Sequence, residues 1–309
     1  NTLAIIPIIS TLHHPRSTEA ATKYFLTQAA ASATILFSSM INAWNTGTWD
    51  ITQMSYAPSN TLLSLALALK LGLAPAHFWL PEVLQGSTLF TAFIIATWQK
   101  LAPMSLIYMT MNNLPSTILL MLGLISSTIG GWSGLNQTQT RKIMAYSSIA
   151  HLGWMAMIAS IMSNIMIMNL LVYLMMTTAL FLSLIYSKSK TIQDTATTWT
   201  TSPTLAIIIM LILLSLGGLP PLTGFLSKWL VLEELIMQNL IPMATAMAMS
   251  ALLSLFFYLR LTYTTALTLP PNTLQMKFKW RFKPTMPFMI MILSTLAILM
   301  LPLTPLILL

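Results

Sequence analysis

Lys70, Lys100 and Lys228 stand where a lysine is hardest to keep charged. Each lies inside an apolar stretch long enough to cross a bilayer, Lys70 and Lys100 about ten residues from either end of theirs. At roughly 1.5 Å per residue, that much helix puts an ammonium roughly 15 Å from water, beyond the reach of a stem that snorkels to the interface. Inserting each costs about 3 kcal/mol, so three of them point to a function. Burial disfavours a charged ammonium and a nearby carboxylate favours it. An acid that approaches and withdraws therefore makes such a lysine take up and release a proton. A row of lysines linked by water can pass protons with no redox group.

Three further residues could join them. His151, in Ser147-Ser148-Ile149-Ala150-His151, lies inside another apolar stretch. It is a candidate auxiliary proton carrier, and equally a hydrogen-bonded packing element. Glu82 is a candidate entrance to the pathway, or a helix-end carboxylate solvated at the interface. His77, beside Phe78 and Trp79, reads as part of an interfacial aromatic belt. No acid in the sequence pairs obviously with the central lysines.

The elements that hold these residues are membrane helices. Of 309 residues, 56% are hydrophobic and only 6% charged, with a mean hydropathy of +0.78. A soluble domain carries about a quarter charged residues, so this composition excludes one. Apolar periodicity gives spans at about 19–43, 58–84, 88–110, 115–133, 143–162, 165–186, 203–236, 240–265 and 285–307, after the tail of another at about 3–9. The expected fold is thus an all-α, polytopic bundle of about ten spans forming one membrane domain over 1–309. Ser17 or Thr18 is expected to cap the first complete span. Alternating the loops collects Arg16, Lys23, Arg141, Lys142, Lys188, Lys190, Lys277, Lys279, Arg281 and Lys283 on one side and Asp50, Glu233 and Glu234 on the other. That sorting obeys the positive-inside rule and sets the basic loops on the cytoplasm-equivalent side, with the C-terminus facing away.

Two of the spans carry helix breaks. Gly217-Gly218-Leu219-Pro220-Pro221 removes two amide donors seven residues before Lys228, and Gly72 and Pro75 follow Lys70. Leu69 to Pro75 resembles Leu214 to Pro220, a weak repeat that pairs Gly72 with Gly217. Paired interrupted helices in two halves mark an ion or substrate site.

Other chemistry is missing. There is no cysteine, hence no thiol nucleophile, disulfide or iron–sulfur ligand. Gly130-Gly131-Trp132-Ser133-Gly134 lacks the lysine and the strand–helix setting of a phosphate loop. His13 and His14 are adjacent, the wrong spacing for zinc or haem. The run Lys277 to Lys283 alternates basic and aromatic residues, which beside a membrane fits anionic lipid better than nucleic acid. The chain opens on Asn1 within an apolar run and without a methionine; a fragment lacking its start is expected, processing being the other reading.

Several long motifs carry a resemblance. They are Pro15 to Gln28, Leu69 to Val83, Thr97 to Pro103, Gly134 to His151 and Gly217 to Lys228, in order along the chain. Together they resemble the chain 2 family of NADH–ubiquinone oxidoreductase, an antiporter-like membrane subunit of mitochondrial respiratory complex I. The resemblance implies two inverted five-helix repeats, about 1–160 and 161–309 with a C-terminal helix, each with one discontinuous helix. It implies a proton relay of Lys70 in the first broken helix, Lys100 at the centre and Lys228 in the second. It also implies a glutamate partner for Lys70 just upstream of Asn1, outside this sequence. The implied cofactors, NADH, FMN, iron–sulfur clusters and ubiquinone, belong to the assembled complex and none to this chain. The implied partners are other membrane-arm subunits and lipids, cardiolipin among them, with no nucleic acid. The implied location is the mitochondrial inner membrane, basic loops toward the matrix and C-terminus toward the intermembrane space. Two rivals stay open: a stand-alone cation/proton antiporter subunit, and a scaffold whose lysines move no charge.

Overall fold

A chain this apolar must satisfy its backbone within each segment, and it does so as helix. The computed structural model describes residues 2–12, 14–220, 222–266 and 288–304, and its regular elements are helices throughout. Pro221, His13 and the basic run from Lys277 to Lys283 lie outside the described residues.

The short helix α1 (Thr2–Ile9) leads to α2 (Pro15–Thr46). The start of α2 precedes the expected Ser17 or Thr18. His14 is the N-cap, its Nδ1 accepting from the Arg16 amide at 3.2 Å while Ser17 Oγ accepts from the His14 amide at 3.2 Å. Pro15 at the first helical position explains the earlier start, because its fixed φ suits that site and its missing N–H is not needed there.

The expected span at 58–84 is two helices, α3 (Ala57–Leu71) and α4 (Trp79–Gly86). That at 88–110 is also two, α5 (Leu89–Ala96) and α6 (Trp98–Thr110). The second interruption departs from the single span expected. It falls at Thr97 (φ −113°, ψ −70°), whose hydroxyl donates to the Phe93 carbonyl at 2.8 Å. Such back-bonding to the preceding turn bends helices, and Pro103 then sits inside α6 without ending it. Next come α7 (Ser116–Gly134), α8 (Thr140–Ala159) and α9 (Ser163–Ser187), then short α10 (Ile192–Ala196) and α11 (Thr198–Thr201). The expected broken helix at 203–236 is α12 (Pro203–Gly217) and α13 (Thr223–Met237); α14 (Ile241–Ala266) and α15 (Phe288–Leu299) complete the described α-helices.

Among the described residues, five helical stretches are long and apolar enough to cross a membrane: Pro15–Thr46, Leu89–Thr110, Ser116–Gly134, Ser163–Ser187 and Ile241–Ala266. The broken pairs α3–α4 and α12–α13 and the shorter α15 add apolar segments between and after them.

The two broken helices end in the same way. Gly72 (φ 77°) and Gly218 (φ 81°) take the left-handed conformation that a Cβ disfavours. The Gly72 amide donates to Ala68 and Leu69, and the Leu73 amide to Ala68. The Gly218 amide donates to Leu214 and Ser215, and the Leu219 amide to Leu214. This geometry pairs Gly72 with Gly218, one residue beyond the pairing read from the sequence. The cap is decided by which glycine carries the positive φ, and two adjacent glycines cannot be told apart by residue type.

Candidate proton-handling site

A helix that stops inside a membrane leaves its last carbonyls without partners. Lys100 Nζ, on α6, donates to the carbonyl of Leu71, the last residue of α3. Lys228 Nζ, on α13, donates at 2.9 Å to the carbonyl of Gly217, the last residue of α12. The two lysines therefore cap equivalent carbonyls at the two breaks. They arrive by different routes, Lys100 from a neighbouring helix and Lys228 from the second half of its own. A cation at a helix C-terminus also meets the negative end of the helix dipole. Lys100 is only 2% exposed and is among the largest fully buried side chains.

Lys70 stands apart from this pair. It lies in the last turn of α3, half-buried, and among the described residues no side chain pairs with its ammonium. Its carbonyl accepts from Gln28 Nε2 at 3.3 Å, and Trp79 Nε1 donates to the neighbouring Leu69 carbonyl at 3.2 Å. The break at Gly72 is thus satisfied by three side chains, Gln28, Trp79 and Lys100. Sequence spacing singled out only the last as a site residue.

His151 comes close to Lys228. It faces Tyr173, with ring centroids 5.7 Å apart, and shares a 3.4 Å hydrogen bond through Nε2 with Tyr258 Oη. His151, Asn169, Tyr173, Ser227 and Lys228 line one small internal cavity. Tyr173 Oη donates at 2.9 Å to the Ala96 carbonyl, at the bend between α5 and α6 and one turn before Lys100. Side chains of α9 thereby link the cavity beside Lys228 to the bend one turn before Lys100. Asn169, Tyr173 and Tyr258 were not read from the sequence as site residues. Asn169 and Tyr173, four apart in an apolar 25-residue helix, carried the signal that could have found them.

Glu82 lies elsewhere. Its carboxylate pairs at 2.6 Å with Lys23, which also pairs with Glu19, and these side chains are about half exposed. Arg16 and Lys142 line the same polar cleft, so Glu82 belongs to the basic end of the bundle and not to the lysine pair. His77 is a correction. It is 5% exposed, inside the α3–α4 connection, with Nδ1 3.3 Å from the Pro75 carbonyl, whereas its neighbour Phe78 is the exposed ring. A break lets the chain turn inward, and belt spacing cannot foresee that.

The basic end is tied together by its own hydrogen bonds. Arg141 donates to the Ser87 carbonyl, Arg260 donates to the carbonyls of Leu135 and Gln137, and the Thr140 amide donates to Lys190 at 3.1 Å. At the opposite end Asn113 Nδ2 donates to the Thr52 carbonyl at 2.7 Å.

With the geometry established, its likeness to known proteins can be stated. The family described as NADH:quinone oxidoreductase/Mrp antiporter, TM, matches residues 1–254, and that described as NADH dehydrogenase subunit 2 C-terminus matches residues 255–308. The chain is 55% identical over 305 residues to NADH-ubiquinone oxidoreductase chain 2 of Polypterus ornatipinnis, covering 99% of this chain and 88% of the relative. The chain belongs to the NADH-ubiquinone oxidoreductase chain 2 family. Chain 2 of Gallus gallus is 54% identical over 307 residues, covering 99% and 89%. Among solved structures, a chain of respiratory complex I from Thermus thermophilus with bound aureothin superposes with a TM-score of 0.83 at 26% identity, covering 97% of this chain and 72% of that one. A chain of the Mrp complex from Dietzia sp. DQ12-45-1b shares the fold, with a TM-score of 0.75 at 20% identity over 84% and 52%. The chain 2 family thus brings the antiporter-like helical fold that the resemblance implied. It also fixes the class of activity, that of a multi-pass proton-translocating membrane subunit of mitochondrial complex I.

Proposed function

We propose that this chain moves protons through Lys100 and Lys228, each switching between ammonium and amine at the C-terminal carbonyl of an interrupted helix. The observation that carries the reading is the pair of equivalent bonds, Lys100 to the Leu71 carbonyl and Lys228 to the Gly217 carbonyl. Each carbonyl and its helix dipole favour the charged lysine, while the apolar surroundings favour the neutral one. A small change in a neighbouring charge then tips the balance. Moving a charge against about 150 mV costs roughly 3.5 kcal/mol, a scale that a shift in lysine protonation can meet.

Lys70 is the third member, on the first broken helix. His151 is the auxiliary carrier between the lysines and the bundle interior. Glu82 with Lys23 marks the mouth on the basic side. The redox groups, from NADH and FMN to ubiquinone, act on other subunits of the complex, and this chain supplies the membrane path. Its basic loops face the matrix and its C-terminus the intermembrane space. The cleft lined by Arg16, Lys23 and Lys142, with Glu19 and Glu82 paired to Lys23, keeps a net positive charge that suits an anionic headgroup such as that of cardiolipin.

The carbonyl bonds also favour a second reading, in which the lysines are caps that hold the breaks and move no charge. Lys100→Met in the assembled complex separates the two. The relay reading expects normal assembly and NADH oxidation uncoupled from pumping, or slowed with it, with a proton-to-electron ratio well below normal. A normal ratio in whatever complex assembles would leave only the cap.

A further inference from the structure

From the internal cavity between α8, α9 and α13 we infer a single-water site, held by Asn169, that joins Lys228 to His151. The inference rests on the relay reading above and names a group in it that neither the sequence motifs nor the family likeness assigns.

The cavity offers about 10 Å³ to the centre of a water molecule, which is the room for one water and not for a chain of them. Its polar lining comes from His151, Asn169, Tyr173, Ser227 and Lys228, and its other walls are apolar. Asn169 is 6% exposed, and its Oδ1 is buried without a hydrogen-bond partner. An orphaned carbonyl oxygen inside a membrane helix costs free energy and calls for a donor. Lys228 uses one donor on Gly217 and keeps two. Tyr173 is committed to the Ala96 carbonyl and Ser227 to the Gly224 carbonyl, the latter at 2.9 Å.

A water in this cavity donates to Asn169 Oδ1 and accepts from Lys228 Nζ. Its second proton is free for Nδ1 of His151, the acceptor nitrogen in the tautomer whose Nε2–H donates to Tyr258 Oη. The water completes three bonds, the usual number for a buried one. Asn169 is then a positioning residue. It holds the water so that one oxygen lone pair points at the ammonium, and a proton leaving Lys228 goes to that water as its other proton passes to His151. The number of protons on the water is the same before and after the step. Asn169 and Tyr173 lie on one face of α9, so the helix that holds this water also holds the bend beside Lys100.

The assembled complex tests this in two independent ways. A solvent peak within hydrogen-bond distance of Asn169 Oδ1 is expected in a high-resolution map of the unaltered complex, and a dry cavity there would overturn the inference. In sealed vesicles, Asn169→Leu is expected to lower proton-coupled turnover about fivefold, as for loss of one buried hydrogen-bond acceptor, and to raise the solvent deuterium effect. Asn169→Ser, which keeps a polar group in the cavity, should restore most of the rate. Lys228→Met serves as the reference. If it stops pumping while Asn169→Leu pumps at the normal rate and isotope effect, the water site is wrong and the relay stands. If Lys228→Met pumps normally, the relay reading falls, taking with it the bridge to His151, and the inference is overturned.

Discussion

At the scale of single residues, the membrane turns hydrogen bonds into the deciding interaction, because the lipid offers no bulk water to replace a missing partner. Lys100 shows what was legible in the sequence. A cation far from either end of an apolar run can be picked out by counting, and the structure buries it to 2% exposure. What it touches could not be read, since a partner carbonyl has no side-chain identity. Gln28, Trp79 and Tyr173 escaped notice for the same reason, each being a common residue whose role is to satisfy a main-chain oxygen at a break. Tyr173→Phe tests how much such a bond contributes. It keeps the ring against His151 and removes the donor to the Ala96 carbonyl, so a loss of about 1 kcal/mol is expected. Thermal dissociation of the assembled complex should shift downward, with NADH oxidation intact at low temperature. An unchanged midpoint would mean that the Ala96 carbonyl finds another donor.

At the scale of elements, glycine and proline told where helices stop, but not how. Gly72 and Pro75, and Gly217 to Pro220, announced two interruptions, and both occur. The third, at Thr97, was hidden because threonine bends a helix through its hydroxyl and not through a missing amide. Which of two adjacent glycines makes the cap was also hidden, and that choice sets the repeat. Gly47 and Gly218 make a matched pair for testing it. Both have positive φ, so alanine costs each about 1 kcal/mol in backbone strain. A Cβ on Gly47 meets nothing within 4 Å, whereas one on Gly218 lies 3.0 Å from Lys228 Cδ and 3.1 Å from its Nζ. Gly47→Ala should therefore lower stability and leave the proton-to-electron ratio alone. Gly218→Ala should lower stability to a similar degree and also push Lys228 from the Gly217 carbonyl, reducing the ratio. Equal ratios in the two variants would show that the contact of Lys228 with that carbonyl is dispensable.

At the scale of the whole molecule, charge orients what apolar burial only packs. The alternation of loops was readable because basic residues are so few that each counts, and a miscounted span would have scattered them over both ends. The structure gathers Arg16, Lys23 and Lys142 around one cleft and ties α8 to the loop after α9 through Thr140 and Lys190. Arg260 joins the same end from α14, held by Leu135 and Gln137. These contacts gather the basic residues at one end, and the proposal that this end faces the matrix follows from the cost of carrying such charges across the membrane. Lys188 and Lys190 are exposed on it, one of them as the C-cap of α9. A membrane-impermeant amine reagent should therefore acylate both in inverted inner-membrane vesicles, where the matrix side is outward, and neither in mitoplasts, where it is enclosed. Peptide mass spectrometry reads the two lysines directly in the unaltered complex. Labelling of Lys188 in mitoplasts but not in inverted vesicles would reverse the orientation, moving the mouth at Glu82 to the side from which protons leave.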